Sequence, residues 1–295
     1  MKTRHSLGER SFDVLNIVLM CVLMIITLYP MLHVLFGSFS EGKELMKHEG
    51  LLFHVLGKPT LSGYRIILKN KNIWRGFCNS VGYVFGGTAL NLLLTSLLAY
   101  ALSRRHFAPR KLLMKLILVT MFFSGGIIPL FLVIRLLGLF DSPLAVILPG
   151  AISTYNMVIM RTFFMRIPNE LEESAQIDGA NDFVVYSRIV LPMSMAVIAV
   201  IALYYGVGHW NAWFNAMVFL RNRNYYPLQL FLREILIESN MTLASDNSMD
   251  FVQTNYSEQL VKYCLIVVST VPILVLYPFL QKYFVKGVMI GALKG

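Results

Sequence analysis

The chain has 295 residues, of which 56% are hydrophobic and 14% are charged, and its formal net charge is +10. Soluble domains contain about 25% charged residues, so the composition excludes a soluble globular protein. A strongly positive soluble chain would favour nucleic-acid binding. Here the lysines and arginines lie between long apolar blocks, where they set membrane orientation instead. The composition therefore predicts a polytopic membrane protein that binds no nucleic acid.

Six apolar blocks follow one another, each long enough to cross about 30 Å of hydrocarbon as a helix. The predicted spans are approximately residues 14–36, 76–102, 116–134, 142–160, 193–215 and 263–280. Lys2, Arg4 and Arg10 precede the first block as in a signal peptide, but the block is longer than a signal sequence and no cleavage site follows it. We therefore predict one all-α transmembrane domain over residues 1–295, with an uncleaved first span and both termini on one side.

The short loop after the second span indicates the orientation of the chain. It contains a dense group of basic residues, Arg104, Arg105, Arg110, Lys111 and Lys115. Short loops rich in lysine and arginine stay in the cytoplasm. We expect this loop and both termini to be cytoplasmic.

The absence of charged side chains from the six blocks bears on the energy source of the protein. They contain no Asp, Glu, Lys or Arg, and the ionisable imidazoles in them are His33 and His209. Proton-coupled carriers and intramembrane proteases need carboxylates at depth in the membrane. The three cysteines are isolated within the blocks, and no metal-ligand cluster or catalytic set is evident. We expect the energy to come from another chain.

Residues 166–192, between the fourth and fifth spans, are the segment most informative about function. Pro168 fits the first position of a helix, and the glutamates that follow suit the positive end of its dipole. Gly179 favours the left-handed conformation that ends a helix, and Asn181 can cap another. The segment predicts a cytoplasmic helix, a sharp turn and a second helix.

The second helix of this segment is expected to place Phe183, Tyr186 and Val190 on one face. A compact helical pair that is too short to cross the membrane could dock into a groove of a partner. It could equally be an amphipathic hairpin that lies at the membrane interface without a partner. The residues themselves leave both interpretations open.

The spacing of this segment resembles the EAA motif of permease subunits in binding-protein-dependent ABC importers, E-A-A-x-x-x-G-x9-I-x-L-P. Here it consists of Glu173-Ser-Ala175, then Gly179, and then Ile189-x-Leu191-Pro192, with Ser174 in place of an alanine. The tripeptide Asp178-Gly-Ala180 resembles the D-G-A form of sugar permeases. Residues 122–129, 208–215, 226–233 and 281–291 extend the likeness to the MalG-like oligosaccharide permeases of the LplC/YtcP group.

This resemblance implies the MalG/MetI-like fold of six transmembrane helices in a bacterial inner membrane. It implies a non-enzymatic subunit of an ABC importer that moves oligosaccharides by alternating access. Its partners would be a second homologous permease in a heterodimer, two ATPase subunits and an extracytoplasmic solute-binding protein. ATP and magnesium would bind to the ATPase, and this chain would hold no cofactor or metal. The residues implied to dock on the ATPase are Glu172, Glu173, Ser174, Ala175, Asp178, Gly179 and Ala180.

Two groups of polar and aromatic residues are candidates for the substrate path. One group is at the outer end of the fifth span, and the other is in the fourth. They are Trp210, Asn211, Trp213 and Asn215, and Tyr155 and Asn156. Aromatic rings stack on sugar C–H faces and amides pair with hydroxyls. The alternative for the tryptophans is an aromatic belt at the membrane interface.

Several alternatives stay open at the level of sequence. The same architecture could carry another solute class, such as amino acids or polyamines, and an integral-membrane glycan-processing enzyme is a more distant alternative. Residues 221–262 could contact the binding protein or form a solvated loop. The sequence does not identify the sugar, its length or its charge. It also does not decide whether this chain or its partner permease makes the main substrate contacts.

Overall fold

The computed structural model describes residues 7–242 and 259–278, and within these ranges it contains helices and no strand. The α-helices are α1 (Leu7–Phe39), α2 (Gly42–Lys47), α3 (Ser62–Lys69), α4 (Lys71–Ser103), α5 (Arg110–Phe122), α6 (Ile127–Leu136), α7 (Leu144–Ile147), α8 (Thr154–Phe164), α9 (Asn169–Ile177), α10 (Asp182–Val185), α11 (Leu191–Met193), α12 (Met195–Trp210), α13 (Phe214–Phe219), α14 (Leu228–Thr242) and α15 (Gln259–Pro278). The end of the predicted sixth span, the motif at 281–291 and residues 243–258 of the 221–262 segment lie outside the described residues.

The chain divides into two units, one formed by Met1–Asn70 with Glu234–Thr270 and the other by Lys71–Arg233 with Val271–Gly295. In the first unit, the apolar side chains along most of α1 are exposed, as expected for a helix surrounded by lipid. The end of α1 is held at Ser38. The Tyr64 hydroxyl donates a hydrogen bond to Ser38 Oγ at 2.8 Å, and the Cys264 thiol donates to the Ser38 carbonyl at 3.3 Å.

The second unit is built on the long helix α4, which packs against α8 and α12. Its core consists of buried apolar side chains from these helices and from the segment before α12, among them Leu102, Met157, Phe164, Val185 and Ile201. Lipid offers the same apolar surroundings as this core, so close packing and interhelical hydrogen bonds hold the helices together.

Three helices are long and apolar enough to cross a membrane, and the described residues contain up to six spans if each of three bent pairs counts as one. The predicted third span is the sharpest case, because α5 and α6 are bent by 118°. Phe123 adopts an extended conformation and Gly126 has φ +76°, so the helix stops and restarts here. Glycine reaches this φ without steric cost.

The predicted fourth and fifth spans are also broken. The α7 segment through Gly150 meets α8 at 53°, and the segment from Asp182 to Met193 meets α12 at 83°. Within the predicted fifth span, 193–215, helix α12 ends at Trp210, and α13 begins at Phe214 after a short non-helical link. The apolar length of these blocks did not predict the interruptions in their helices.

Candidate functional site

The segment expected to carry function folds as a helical hairpin. Helix α9 ends in a Schellman turn, in which the Ala180 N–H donates to the Ala175 carbonyl at 2.9 Å and the Gly179 N–H donates to the Gln176 carbonyl at 3.0 Å. Gly179 has φ +83°, the left-handed conformation that such a turn requires. Asn181 Oδ1 then accepts a hydrogen bond from the Val184 N–H at 2.9 Å and caps α10.

The predicted order of helix, sharp turn and helix is therefore confirmed. Pro168 differs from its predicted position, because it is the N-cap and the helix begins at Asn169. The predicted common face of the second helix is wrong at Phe183. Tyr186 and Val190 are buried, but Phe183 is 68% exposed and reaches Tyr186 only at a ring separation of 6.1 Å. A π-helical turn from Tyr186 to Val190 changes the helical period there.

Glu172 differs from the other residues of the expected docking set because it is buried. Its carboxylate forms an ion pair with Arg104, just after the end of α4. The Arg104 guanidinium also donates to Ser103 Oγ at 2.9 Å and to the Phe164 carbonyl at 3.3 Å. It lies 4.7 Å from the centre of the Tyr100 ring. Glu172 therefore fastens the hairpin to its own chain, and its place in the expected docking set stays a prediction.

The other residues of the expected docking set lie on or just below the hairpin surface. Glu173, Ser174, Asp178 and Gly179 are exposed, whereas Ala175 and Ala180 are partly buried against the core. The most exposed apolar residue of the hairpin is Ile177, with 87% of its surface accessible. The sequence patterns did not indicate a role for Ile177, although it is the isoleucine that interrupts the polar run before Gly179.

The hairpin continues into the membrane-spanning core through buried side chains. Val185 and Val190 pack in the core with Met160 and Phe164 of α8. The Tyr186 hydroxyl lies 2.7 Å from Ser96 Oγ on α4. Both α4 and α8 therefore hold the base of the hairpin directly.

A set of polar contacts between α4 and α12 was also missed. Thr95 Oγ1 lies 2.7 Å from the Tyr205 hydroxyl, and Asn91 Nδ2 lies 3.1 Å from His209 Nε2. The Tyr205 hydroxyl also accepts the Ser153 N–H at 2.9 Å. The sequence could have indicated these contacts, because polar residues are spaced by four on both apolar helices. They are at positions 91 and 95 on α4 and at 205 and 209 on α12. We call these five residues the polar ladder.

Gly87 makes room for this ladder. A Cβ at this position would lie 2.5 Å from His209 Nε2, closer than real Cβ atoms approach other atoms. A Cβ at the neighbouring Gly86 would meet nothing within 4 Å. The absence of a side chain at Gly87 therefore allows the imidazole of His209 to lie against α4.

The candidate substrate-path residues lie on two elements. Tyr155 and Asn156 are in the first turn of α8, where Tyr155 is exposed and Asn156 is buried. Trp210, the last residue of α12, is buried, with Phe77 packed edge-on at 5.8 Å. Trp213 lies under Arg233, whose guanidinium carbon is 3.9 Å from the ring centre.

The two asparagines of this group are in the region after α12. Asn211 is exposed, and Asn215 is partly buried in α13. Because the Ser153 N–H contacts Tyr205, the start of α8 lies beside α12 a little over one turn before Trp210. Within residues 7–242 and 259–278, no group of three or more His, Cys, Asp or Glu side chains is arranged to hold a metal ion.

Comparisons with known proteins identify the family. Residues 91–290 match the model of the binding-protein-dependent transport system inner membrane component. The chain is 41% identical to protein LplC of Bacillus subtilis strain 168, over 97% of this chain and 96% of the relative. It is also 41% identical to the polygalacturonan/rhamnogalacturonan transport system permease protein YtcP of the same strain, over 97% of this chain and 99% of the relative.

A solved structure agrees with these relatives. A chain in the crystal structure of a bacterial ABC transporter involved in the import of the acidic polysaccharide alginate superposes with a TM-score of 0.86. The two are 30% identical, and the match covers 96% of this chain and 100% of the other. The hairpin, the long apolar helices and these matches lead to one conclusion. This chain belongs to the family of inner membrane components of binding-protein-dependent transport systems and is a permease subunit of an ABC importer.

Proposed function

We propose that this chain moves oligosaccharides across a bacterial inner membrane by alternating access, with ATP hydrolysed on separate subunits. It pairs with a second homologous permease, receives sugar from an extracytoplasmic binding protein and contacts two ATPase subunits. ATP and magnesium bind to the ATPase, and this chain transmits work without catalysing a reaction. Both termini lie in the cytoplasm, as the basic loop after α4 indicates.

The exposed tip of the hairpin is the observation that carries this proposal. Glu173, Ser174 and Asp178 offer polar groups to a partner, and Ile177 offers an apolar anchor that the described residues of its own chain leave uncovered. Interfaces commonly depend on one such apolar anchor surrounded by polar contacts. The tip therefore has the chemistry of a docking knob for the ATPase, which favours this interpretation over a hairpin lying at the membrane interface.

The base of the hairpin explains how movement of the ATPase would reach the transport path. The Glu172–Arg104 pair joins α9 to the end of α4, and the Tyr186–Ser96 contact joins the π-helical turn to α4 about two turns before its end. Closure of the ATPase on ATP would move these contacts together. The bend of 83° before α12 is the point at which this movement would become rotation of a membrane helix.

The substrate class that the relatives favour is an acidic oligosaccharide. YtcP is named for polygalacturonan and rhamnogalacturonan, and the structural neighbour comes from a transporter for alginate. Both kinds of polymer carry carboxylates on their sugar rings. In this chain we assign the substrate path to Tyr155 and Asn156 at the start of α8. We also assign to it the group at and after the end of α12, namely Trp210, Asn211, Trp213 and Asn215.

The orientation can be tested with a single thiol at the tip. In a background with Cys21 and Cys78 replaced by serine, Asp178→Cys should react with a membrane-impermeant maleimide only in inside-out vesicles. Cys264 is buried and can be retained. Labelling from the outside of intact cells would contradict the proposed orientation.

The docking role can be tested at Ile177. Ile177→Gln should reduce the affinity for the ATPase subunits by about tenfold, as expected for loss of an apolar anchor. ATP-driven uptake by proteoliposomes should fall with it. Leu68→Gln is the matched control, because Leu68 is also an exposed apolar residue but lies on α3. Equal ATPase binding and uptake by both variants would refute docking at the tip.

Coupling can be tested separately from binding. Gly179→Pro forbids the positive φ of the turn, and Glu173→Lys reverses an exposed charge. Both variants should insert into the membrane. Their transporters should hydrolyse ATP without the matching uptake of substrate. Full transport by both would exclude a role for the hairpin in coupling.

The substrate class can be tested by competition. Uronic-acid and neutral oligosaccharides would be compared as competitors for uptake by the intact transporter, and the class that competes would be identified as the substrate class.

A further inference from the structure

At the base of the hairpin, a cavity of about 440 Å³ opens between the end of α4, the start of α5, the end of α8 and the start of α9. Six basic side chains line it, namely Arg104, Arg105, Arg110, Lys111, Lys115 and Arg161. Glu172 is the acidic residue in the lining. A concentration of this much positive charge around one cavity attracts an anion.

The described residues leave most of this charge without a neutralising carboxylate. The Glu172 carboxylate pairs with Arg104. Among the residues that the structure describes, the other five basic side chains form no ion pair with a carboxylate. Arg110 donates one N–H to the Arg104 carbonyl at 3.1 Å, and Arg161 donates Nε–H to the Leu102 carbonyl at 2.9 Å. A guanidinium has five N–H donors, so both retain donors for a ligand.

The other part of the cavity is apolar and lies partly along α5. Lys111, Lys115 and Leu118 line the cavity at spacings of four and three residues, which places them along one face of α5. Met114 lines it beside them. The basic residues occupy the first turns of α5, and apolar residues continue towards Phe122. The lining therefore changes from cationic to apolar along the direction of a span.

We propose that this cavity binds an anionic phospholipid, with its phosphate among the basic side chains and an acyl chain along Met114 and Leu118. A free phosphate would use only the cationic end, whereas a phospholipid matches both ends. Basic cavities beside membrane helices at the cytoplasmic surface bind acidic headgroups in this way. Because Asn169 and Glu172 of α9 also line the cavity, a bound headgroup would contact the base of the hairpin.

The proposal can be tested with the double variant Lys111→Gln/Lys115→Gln, which leaves the Arg104–Glu172 pair intact. Both lysines are exposed, so the substitutions leave the core unchanged. The assembled transporter would be placed in nanodiscs of equimolar phosphatidylglycerol and phosphatidylcholine, released into detergent, and examined by native mass spectrometry for retained lipid. Wild type should retain phosphatidylglycerol selectively. The variant should lose that retention by about 25-fold, because two basic residues are removed and each one near an acidic lipid contributes roughly a fivefold gain in affinity.

Lys58→Gln/Lys69→Gln is the control for net charge, because it removes two exposed lysines that lie outside the cavity. Its lipid retention should equal that of wild type. Equal retention by both double variants would overturn the proposal. Displacement of the lipid by excess inorganic phosphate would also overturn it, because the cavity would then be a simple anion site. Loss of the ATPase subunits with unchanged lipid would instead assign the cavity to an acidic segment of the ATPase.

Discussion

The buried carboxylate of Glu172 is paired with the guanidinium of Arg104, and the side chains are 10% and 6% exposed, respectively. The next residue along the chain, Glu173, is exposed. Two consecutive glutamates of the hairpin therefore have different roles. One fastens α9 to the end of α4, and the other remains available to a partner.

Glu172→Gln should destabilise the chain, because it leaves the Arg104 guanidinium buried without a counter-charge. Removing one partner of a buried pair typically costs about 3–5 kcal/mol. Thermal unfolding of the purified permease complex should show a clear loss of stability. Glu170→Gln is the control, since Glu170 is an exposed glutamate in the same turn of α9.

The double variant Arg104→Gln/Glu172→Gln provides a second check. If the two side chains act as a pair, the double variant should be less destabilised than the sum of the single variants. A strictly additive result would show that the two residues contribute independently.

Gly87→Ala should disturb the packing of α4 against α12. The new methyl group would lie 2.5 Å from His209 Nε2, so the imidazole would have to move. Overpacking of this kind costs about 1–3 kcal/mol. Gly86→Ala meets nothing and should be neutral or slightly stabilising, because alanine favours a helix over glycine by about 1 kcal/mol. Unfolding curves of the two variants that coincide would contradict the close approach at Gly87.

Tyr205→Phe should weaken the polar ladder at the point where three elements meet. Its hydroxyl contacts Thr95 on α4 and accepts the Ser153 N–H before α8. Hydrogen bonds between membrane helices contribute about 0.6 kcal/mol on average, with about 1.7 kcal/mol as an upper value. Chemical unfolding in detergent should place the loss within this range. Tyr204→Phe, which changes the exposed neighbour, should have the smaller effect.

The loop contact made by Asp141 should depend on pH. Its carboxylate accepts the N–H groups of Asn222 and Arg221, both at 2.8 Å, and these hydrogen bonds lower the pKa of Asp141 below its ordinary value of 3.8. Because the folded pKa is depressed, the contact stabilises the loop above the unfolded pKa and is lost as pH falls through the folded pKa.

Hydrogen exchange at the Asn222 and Arg221 amides would measure this dependence against Asp141→Asn, which cannot titrate. Asparagine also tolerates the positive φ of 59° at this position. Protection in wild type should exceed that in the variant near neutral pH, and the difference should shrink below pH 3.8 and disappear as the pH falls through the lowered pKa of the folded state. A difference that persists unchanged in acid would contradict the assigned role of the carboxylate.

Local signals in the sequence were enough for the features that depend on neighbouring residues. The apolar blocks indicated long apolar helices, because burial in hydrocarbon depends on the length of an uncharged run. Gly179 and Asn181 predicted the turn and the cap of the hairpin because both depend on the conformation of a single residue. The EAA spacing indicated the family, which the comparisons confirmed.

Only the tertiary structure decided which residues meet across the chain. In the structure, Glu172 is buried whereas Glu173 is exposed, and Asn91 contacts His209. Ile177 and Phe183 are exposed although both are apolar. These outcomes depend on how distant helices pack, and helical periodicity reports only the face on which a residue lies. The bend at Gly126 also depends on the tertiary structure. A glycine permits either a straight helix or a break, and the surrounding fold selects between them.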